Sequence, residues 1–491
     1  MTTAAPTRTP ARIRPPVTTP PVDRTTWSWA GLGAAFVLVH TIFAFEAVGV
    51  IENLGYNDTD LYRWWMERGL DTGFWPLQDE AWVYPAGAIV PMLLVGLVTT
   101  TDFPSYALAW TGLITLLNGA AVWALIRRGA IQGAWWWLAF LAALGPVAAG
   151  RLDAVVAPMS ILALLAALRH PYVAAAVLTF AAWIKVAPGA FFIALAASVR
   201  RPLRDVVLPG ALATLGVVVS VWAWGGLSNI LSFSDAQGGR GLQLESTAAT
   251  GWVLASLFRE DVNPVFNEPL ITWEIVGPGT PNAVAALDFA LPAAAALIGA
   301  LTWWSRRAVP FGALLVHSSL ALSLALIVTN KVGSPQFMGW LAAPVAVALA
   351  WRGLDSLVLR SAAERGRTVP ARRLRMGPPD VAHGHPTRPL QTLAWTPVAV
   401  ALIVAAALTQ WVYPFGYWAI LEGSVPETLA LVVRNVILAV VFVYVVGRLA
   451  VIAWRALGDQ EDARGAAHAA APATTGGDAA VAEEPAPLGA S

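Results

Sequence analysis

Residues 311–336 read FGALLVHSSLALSLALIVTNKVGSPQ. From Phe311 to Asn330 there is no Asp, Glu, Lys or Arg. A helix needs about 20 such residues to cross the roughly 30 Å hydrocarbon core of a bilayer. Comparable apolar runs recur at roughly 29–50, 104–126, 134–150, 153–168, 171–184, 188–199, 206–225, 284–304, 334–350, 391–411 and 428–453. A shorter run at 86–100 contains Pro91 and reads as a re-entrant helix or one more span. The pattern predicts an all-α polytopic membrane protein of about 11–13 transmembrane helices, with external loops that carry short helices.

The composition agrees. Hydrophobic residues make up 57% of the 491 and charged residues 12%, against about 25% charged in soluble domains. Lipid, not water, must meet most of the exterior, since so little charge cannot cover a soluble fold of this size. The net charge of +1 implies no attraction to nucleic acid. With no cysteine, disulfide and thiolate chemistry are excluded. Lys185 and Lys331 are the only lysines among 31 basic residues. Together with abundant Ala, Arg and Pro, this suggests a high-GC genome such as an actinobacterium's.

Residues 1–26 and 459–491 lack apolar runs and read as disordered tails around a membrane domain at 27–458. The first apolar run reads as a signal anchor without a cleavage site. Arginines concentrate in the N-terminal tail, at Arg127–Arg128, Arg200–Arg201, Arg204 and Arg306–Arg307, and throughout 352–390. The positive-inside rule makes these segments and both termini cytoplasmic in an inner (plasma) membrane. The loops at 51–85 and 226–283 then lie outside. The first is acidic and aromatic, with Asp58, Asp60, Trp64, Trp65, Trp75, Trp82 and Tyr84. Such rings suit a sugar-binding cleft and a membrane interface equally.

Charges within apolar runs usually face a cavity or a partner. Lys185 interrupts such a run just before Pro188, where the helix should break. Lys331 follows Asn330 ahead of Ser334-Pro335-Gln336, and Arg151 and Asp153 flank Leu152. The bland readings are snorkelling for the lysines and helix termination for Arg151 and Asp153. His317, beside Ser318 and Ser319, reads first as a helix-to-helix hydrogen bond and second as a ligand contact. His383 and His385 lack metal-ligand companions. A carboxylate of the first outer loop suits a general base for a sugar hydroxyl. Asp58 and Asp60 together leave a divalent ion open, whereas no other cofactor is expected.

Four segments resemble the integral-membrane glycosyltransferases of family 87, which have the GT-C architecture and use polyprenyl-phosphate sugars. They are Asp58-Thr-Asp60-Leu-Tyr62 with the following Tyr84-Pro85-Ala86-Gly87, then Gly150-Arg151-Leu152-Asp153, then Trp183-Ile184-Lys185-Val186-Ala187-Pro188, and Asn330-Lys331-Val332-Gly333-Ser334-Pro335-Gln336. The resemblance spans about 29–350. It implies Asp58 as general base, matched to Tyr62 in a D-x-x-x-Y pattern. It also implies substrate contacts from Asp60, Tyr62, Tyr84, Arg151, Lys185, Arg240, Gln243, Glu245, His317, Lys331, Ser334 and Gln336. The implied partners are membrane lipids, a polyprenyl-phosphate sugar donor and a lipid or glycan acceptor. Gln336 and Phe337 stand where the mannosyltransferase branch often has two histidines, so mannose is the default sugar and arabinose the alternative. A transporter or lipid flippase is the rival class, since it too places polar groups at membrane depth.

Overall fold

The computed structural model describes residues 24–51, 54–234, 239–365, 374–376 and 392–470. The helices that matter here are α1 (Arg24–Ala47), α2 (Asn57–Thr72), α3 (Ile89–Gly96), α4 (Phe103–Arg128), α5 (Ile131–Leu144), α6 (Asp153–Ala167), α7 (Pro171–Ile184), α8 (Pro188–Ser198) and α9 (Leu208–Trp224). The second half adds α10 (Thr280–Ser305), α11 (Phe311–Val328), α12 (Met338–Glu364), α13 (Trp395–Gln410) and α14 (Val425–Ala470). The chain is a predominantly helical, multi-pass membrane bundle. Among the described residues, nine helices are long and apolar enough to cross a bilayer.

Three of the twelve expected spans fall short of a straight crossing. The runs expected at 153–168, 171–184 and 188–199 form helices of 15, 14 and 11 residues. At 1.5 Å per residue these reach roughly 16–22 Å. Apolarity measured their hydrophobic content, but polar turns at Arg151–Leu152 and Lys185–Ala187 cut them short. The break at Lys185 is the one expected: its backbone is extended, and Pro188 starts α8 with a fixed φ that suits a first turn. The helical segment Ala86–Gly96 is shorter than a crossing as well.

Position in the bundle follows burial. In α11, 83% of the apolar window is enclosed, whereas in α10 only 6% is. α11 and α12 therefore form the interior, with α5, α6 and α13 around them, and α9 and α10 present apolar side chains outward. The facing surface of α12 is built on Ala342, Ala343, Ala346 and Ala350, small residues that let helix backbones approach where lipid offers no hydrophobic drive.

The segment expected as an outer loop at 226–283 is more ordered than short helices alone. Strands Asn263–Asn267 and Thr272–Val276 pair antiparallel as a hairpin. With Leu242, Leu244, Val253, Val412, Ile420 and Leu431 the hairpin's Ile275 forms a second, small apolar core that caps one end of the bundle. At the tails, α1 begins at Arg24, inside the tail expected to reach 26. α14 runs to Ala470, past the expected boundary at 459. Residues 1–23 and 471–491 lie outside the described residues. The arginine-rich segment expected as a loop at 352–390 starts as helix, because α12 continues to Glu364. His383 and His385 lie outside the described residues.

The arginine-based orientation makes a direct prediction. Because the chain has no cysteine, single cysteines can be read without background. A membrane-impermeant maleimide should label Glu260→Cys in intact cells, while Glu364→Cys should react only after permeabilisation. The opposite pattern would invert the topology.

Candidate active site

The polar side chains meet at the capped end of the bundle. Asp58 stands in the first turn of α2, where a carboxylate favours the helix dipole. Its partner comes from 93 positions away by number: the guanidinium of Arg151 forms an ion pair with Asp58. The local reason is Gly150. A Cβ there would fall 2.4 Å from the carbonyl oxygen of Gly55. Only glycine lets the 150–152 turn rest on the backbone that leads into α2. Arg151 also donates to the Tyr413 hydroxyl at 2.6 Å, and Tyr413 in turn donates to the Leu54 carbonyl at 3.0 Å. Trp110 ties the same turn down through the Ala149 carbonyl at 2.8 Å.

Asp153 opens α6 one turn further on. Trp340 of α12 donates to one of its oxygens at 2.6 Å, and Lys185 lies 3.5 Å from the other. The Lys185 ammonium also sits 5.2 Å over the ring of Tyr84. Burial works against its charge, and the Asp153 carboxylate offsets that cost. Tyr84 and Tyr62 meet edge-on at 6.1 Å, with Trp65 and Trp110 packed on Tyr62. Arg240 of the outer cap lies near Tyr84. The result is a compact set of two carboxylates, three cations and aromatic walls. It can hold a phosphate through Arg151 and Lys185 and accept a proton at Asp58.

The remaining expected residues are used differently. Asp60 pairs with Arg63 at 2.8 Å on the exposed side of α2, because two residues along a helix turn side chains well apart. Asp58 and Asp60 thus have separate partners and form no shared ion site. Among the described residues no group of three His, Cys, Asp or Glu could hold a metal. His317 lies fully buried in α11, where its Nε2 donates to the Val445 carbonyl of α14 at 2.8 Å. That is the helix-to-helix bond expected of a histidine in an apolar run, and it keeps His317 out of the cluster. Lys331 pairs with Asp288 of α10 at 2.9 Å, a different carboxylate from that of Lys185. The two lysines therefore do not share a partner.

Gln243, Glu245, Ser334 and Gln336 make contacts within the protein. The Gln243 amide donates to the Lys331 carbonyl at 3.0 Å, and its side-chain oxygen accepts from Gly333 N at 3.1 Å. Gly333 has to lack a side chain, since a Cβ would fall 2.2 Å from Ser246 N. Ser334 donates to Gln336 at 2.5 Å. Glu245 is 6% exposed and meets Arg434 of α14 at 3.1 Å, with a second Arg434 bond to its carbonyl at 2.7 Å. Burial pushes the Glu245 carboxyl up, and Arg434 opposes the rise. Arg434 and Tyr413 escaped the sequence reading. Arg434 had a signal, a charge inside the run 428–453, the same criterion that singled out Lys185. Tyr413 had none.

No family model matches the chain, and no curated protein matches it. Among solved structures the chain is similar to ArnT from Cupriavidus metallidurans in the apo state. The identity is 14% over 88% of this chain and 78% of that one, with a TM-score of 0.41. It is similar in the same degree to ArnT bound to undecaprenyl phosphate, at 13% identity over 90% and 80%, with a TM-score of 0.41. Similarity this distant leaves function to the chain's own residues.

The Arg434–Glu245 pair supports the cap in a way that can be measured. Removing one partner of a buried ion pair leaves an uncompensated charge and costs roughly 3–5 kcal/mol. Arg434→Ala should lower stability by that order in thermal or denaturant unfolding in detergent. Arg434→Leu combined with Glu245→Leu should recover most of the loss. A double variant no more stable than Arg434→Ala would show that the pair is not the source.

Proposed function

We propose that this protein is a membrane glycosyltransferase that moves a sugar from a polyprenyl-phosphate donor to a lipid or cell-envelope glycan hydroxyl on the outer face. The observation that carries the reading is the Asp58–Arg151 ion pair standing beside the Asp153–Lys185 pair. A lipid-linked sugar phosphate needs cations at the phosphate and one carboxylate at the attacking hydroxyl. These groups stand together here, at a membrane-embedded end walled by tryptophan and tyrosine faces on which sugar rings stack.

In the proposed step the donor phosphate draws the Arg151 guanidinium and the Lys185 ammonium. Arg151 thereby releases the Asp58 oxygens. The acceptor oxygen attacks the anomeric carbon as its proton passes to Asp58. The bond from that carbon to the phosphate oxygen breaks, and the polyprenyl phosphate leaves as an anion held by the two cations. A single displacement inverts the anomeric centre. Bidentate contact from Arg151 suits the phosphate geometry, and Lys185 adds a point charge. Arg240 and Lys331 are secondary candidates for the same anion. Mannose is the default sugar by resemblance, with arabinose as the alternative, and no nucleotide, nucleic acid or organic cofactor is required.

The test is turnover of a polyprenyl-phosphate sugar by purified protein in lipid. Asp58→Asn keeps the size of the side chain and removes the proton acceptor. It should lower transfer by about 10²–10⁴-fold while donor binding persists. Asp60→Asn, on the exposed side of α2, should cost far less. Near-normal transfer by Asp58→Asn would remove the base assignment, and loss of transfer in Asp60→Asn alone would move it.

A further inference from the structure

The opposite end of the bundle holds a second site. A recess of about 280 Å³ opens between α5, α12 and α13, at the end where the arginine-rich turns lie. Its polar lining is Arg352, Ser356 and Arg360 of α12, Gln132 of α5 and Thr396 of α13, with Leu357 at the edge. Residues 352, 356 and 360 are spaced i, i+4, i+8, so they form one stripe along the helix. The two arginines are separated by roughly 12 Å of axis, within reach of one another's target for side chains of this length. Among the described residues no carboxylate lines the recess. Of the two acids of α12, Asp355 is buried and committed to the backbone N–H groups of Arg375 and Met376, and Glu364 ends the helix one turn past Arg360, outside the lining. Among the described residues neither Arg352 nor Arg360 has an ion-pair partner. Gln132 and Thr396 are each the second residue of their helix, and neither helix start has a side-chain cap. The positive ends of two helix dipoles therefore add to the field of the arginines.

We infer that this recess binds the phosphate headgroup of an anionic phospholipid of the arginine-side leaflet. Two guanidiniums, a hydroxyl on each of two helices and an amide supply the donors that a phosphodiester accepts. The surface that continues from the recess favours a lipid over a soluble anion. Thr396, Val400 and Val404 recur at i, i+4, i+8 along α13, and Val400 and Val404 are 56% and 44% exposed. An acyl chain lying along that stripe keeps its headgroup at Thr396. Leu357, 55% exposed, extends the apolar rim on α12. Anionic lipids attract basic residues at the membrane surface with about 1 kcal/mol per arginine, and the recess gathers two of them. The site stands apart from the proposed transfer chemistry and survives or fails independently of it.

The experiment is lipid retention by the full-length protein. The chain is purified from nanodiscs of phosphatidylcholine doped with phosphatidylglycerol, and retained lipid is counted by native mass spectrometry. The wild type should retain phosphatidylglycerol in preference to phosphatidylcholine, and retention should fall as salt is raised. Arg352→Gln with Arg360→Gln should weaken retention about fivefold for each arginine. Arg200→Gln with Arg201→Gln removes the same charge outside the recess and should leave retention in place. Equal retention of the two lipids by the wild type, salt-independent retention, or an unchanged double variant at the recess would overturn the proposal. Thermal stabilisation by inorganic phosphate, lost in the recess variant and accompanied by no preference for phosphatidylglycerol, would assign the recess to a soluble anion and overturn the lipid. The salt arm uses the wild type alone, so a variant that fails to fold leaves the test intact.

Discussion

Arg151 is 7% exposed, in a chain whose surroundings are mostly apolar. A guanidinium in that position is tolerable only when its charge is neutralised and its donors are occupied. Asp58 supplies the charge and Tyr413 takes a donor. These two residues come from opposite ends of the chain, and their meeting at Arg151 fixes how α2, the start of α6 and the end of α13 are arranged. The Gly150 contact with Gly55 makes that meeting sterically possible. Moving any of these elements by a turn would strand a buried cation, so the ion pair constrains the whole capped end.

A similar rule organises the rest of that end. Asp153 receives Trp340 and Lys185, Glu245 receives Arg434, and Lys331 receives Asp288. Each pair links helices or loops distant in sequence. Together they lay the 240–247 and 330–336 segments across the helix ends. The cations near Asp58 thereby acquire two roles. They satisfy structural carboxylates, and in the proposed function they also meet the donor phosphate. In the proposed exchange of a carboxylate for a phosphate the cation stays paired, and the carboxylate it leaves, Asp58, becomes free to take a proton.

The two ends of the bundle contrast in chemistry. At the capped end cations are buried and paired with acids. At the other end Arg352 and Arg360 are exposed, and Asp355 of their own helix is committed to the backbone N–H groups of Arg375 and Met376. Buried pairs suit a reaction that must control where charge sits, whereas exposed arginines suit contact with a negatively charged membrane surface. α12 joins the two ends directly, since Trp340 near its start holds Asp153 and Arg352 and Arg360 lie near its finish.

Much of the architecture was legible in one dimension. A residue's preference for lipid over water is a property of its own side chain, so apolar runs announced the helices and the lack of charge announced the membrane. Lys185 announced its helix break because Pro188 acts on the adjacent residues. The candidate site was legible only in part. Asp58, Arg151, Lys185 and Tyr84 could be singled out as polar or aromatic groups near membrane depth. Which acid faces which base depends on helix rotation and on contacts across hundreds of residues. Asp58 and Asp60 are two positions apart and chemically identical, yet α2 turns one toward Arg151 and the other toward solvent and Arg63. His317 has the helix-to-helix bond its apolar run suggested, and Glu245, singled out by the resemblance, has Arg434 as a partner within the protein. The hairpin at 263–276 and the role of Tyr413 left no periodic or charge signal. Side-chain chemistry and local backbone preference are written in the sequence itself, whereas the pairing of buried charges exists only once the chain has brought distant segments within a few ångströms, and that was decided by the tertiary structure.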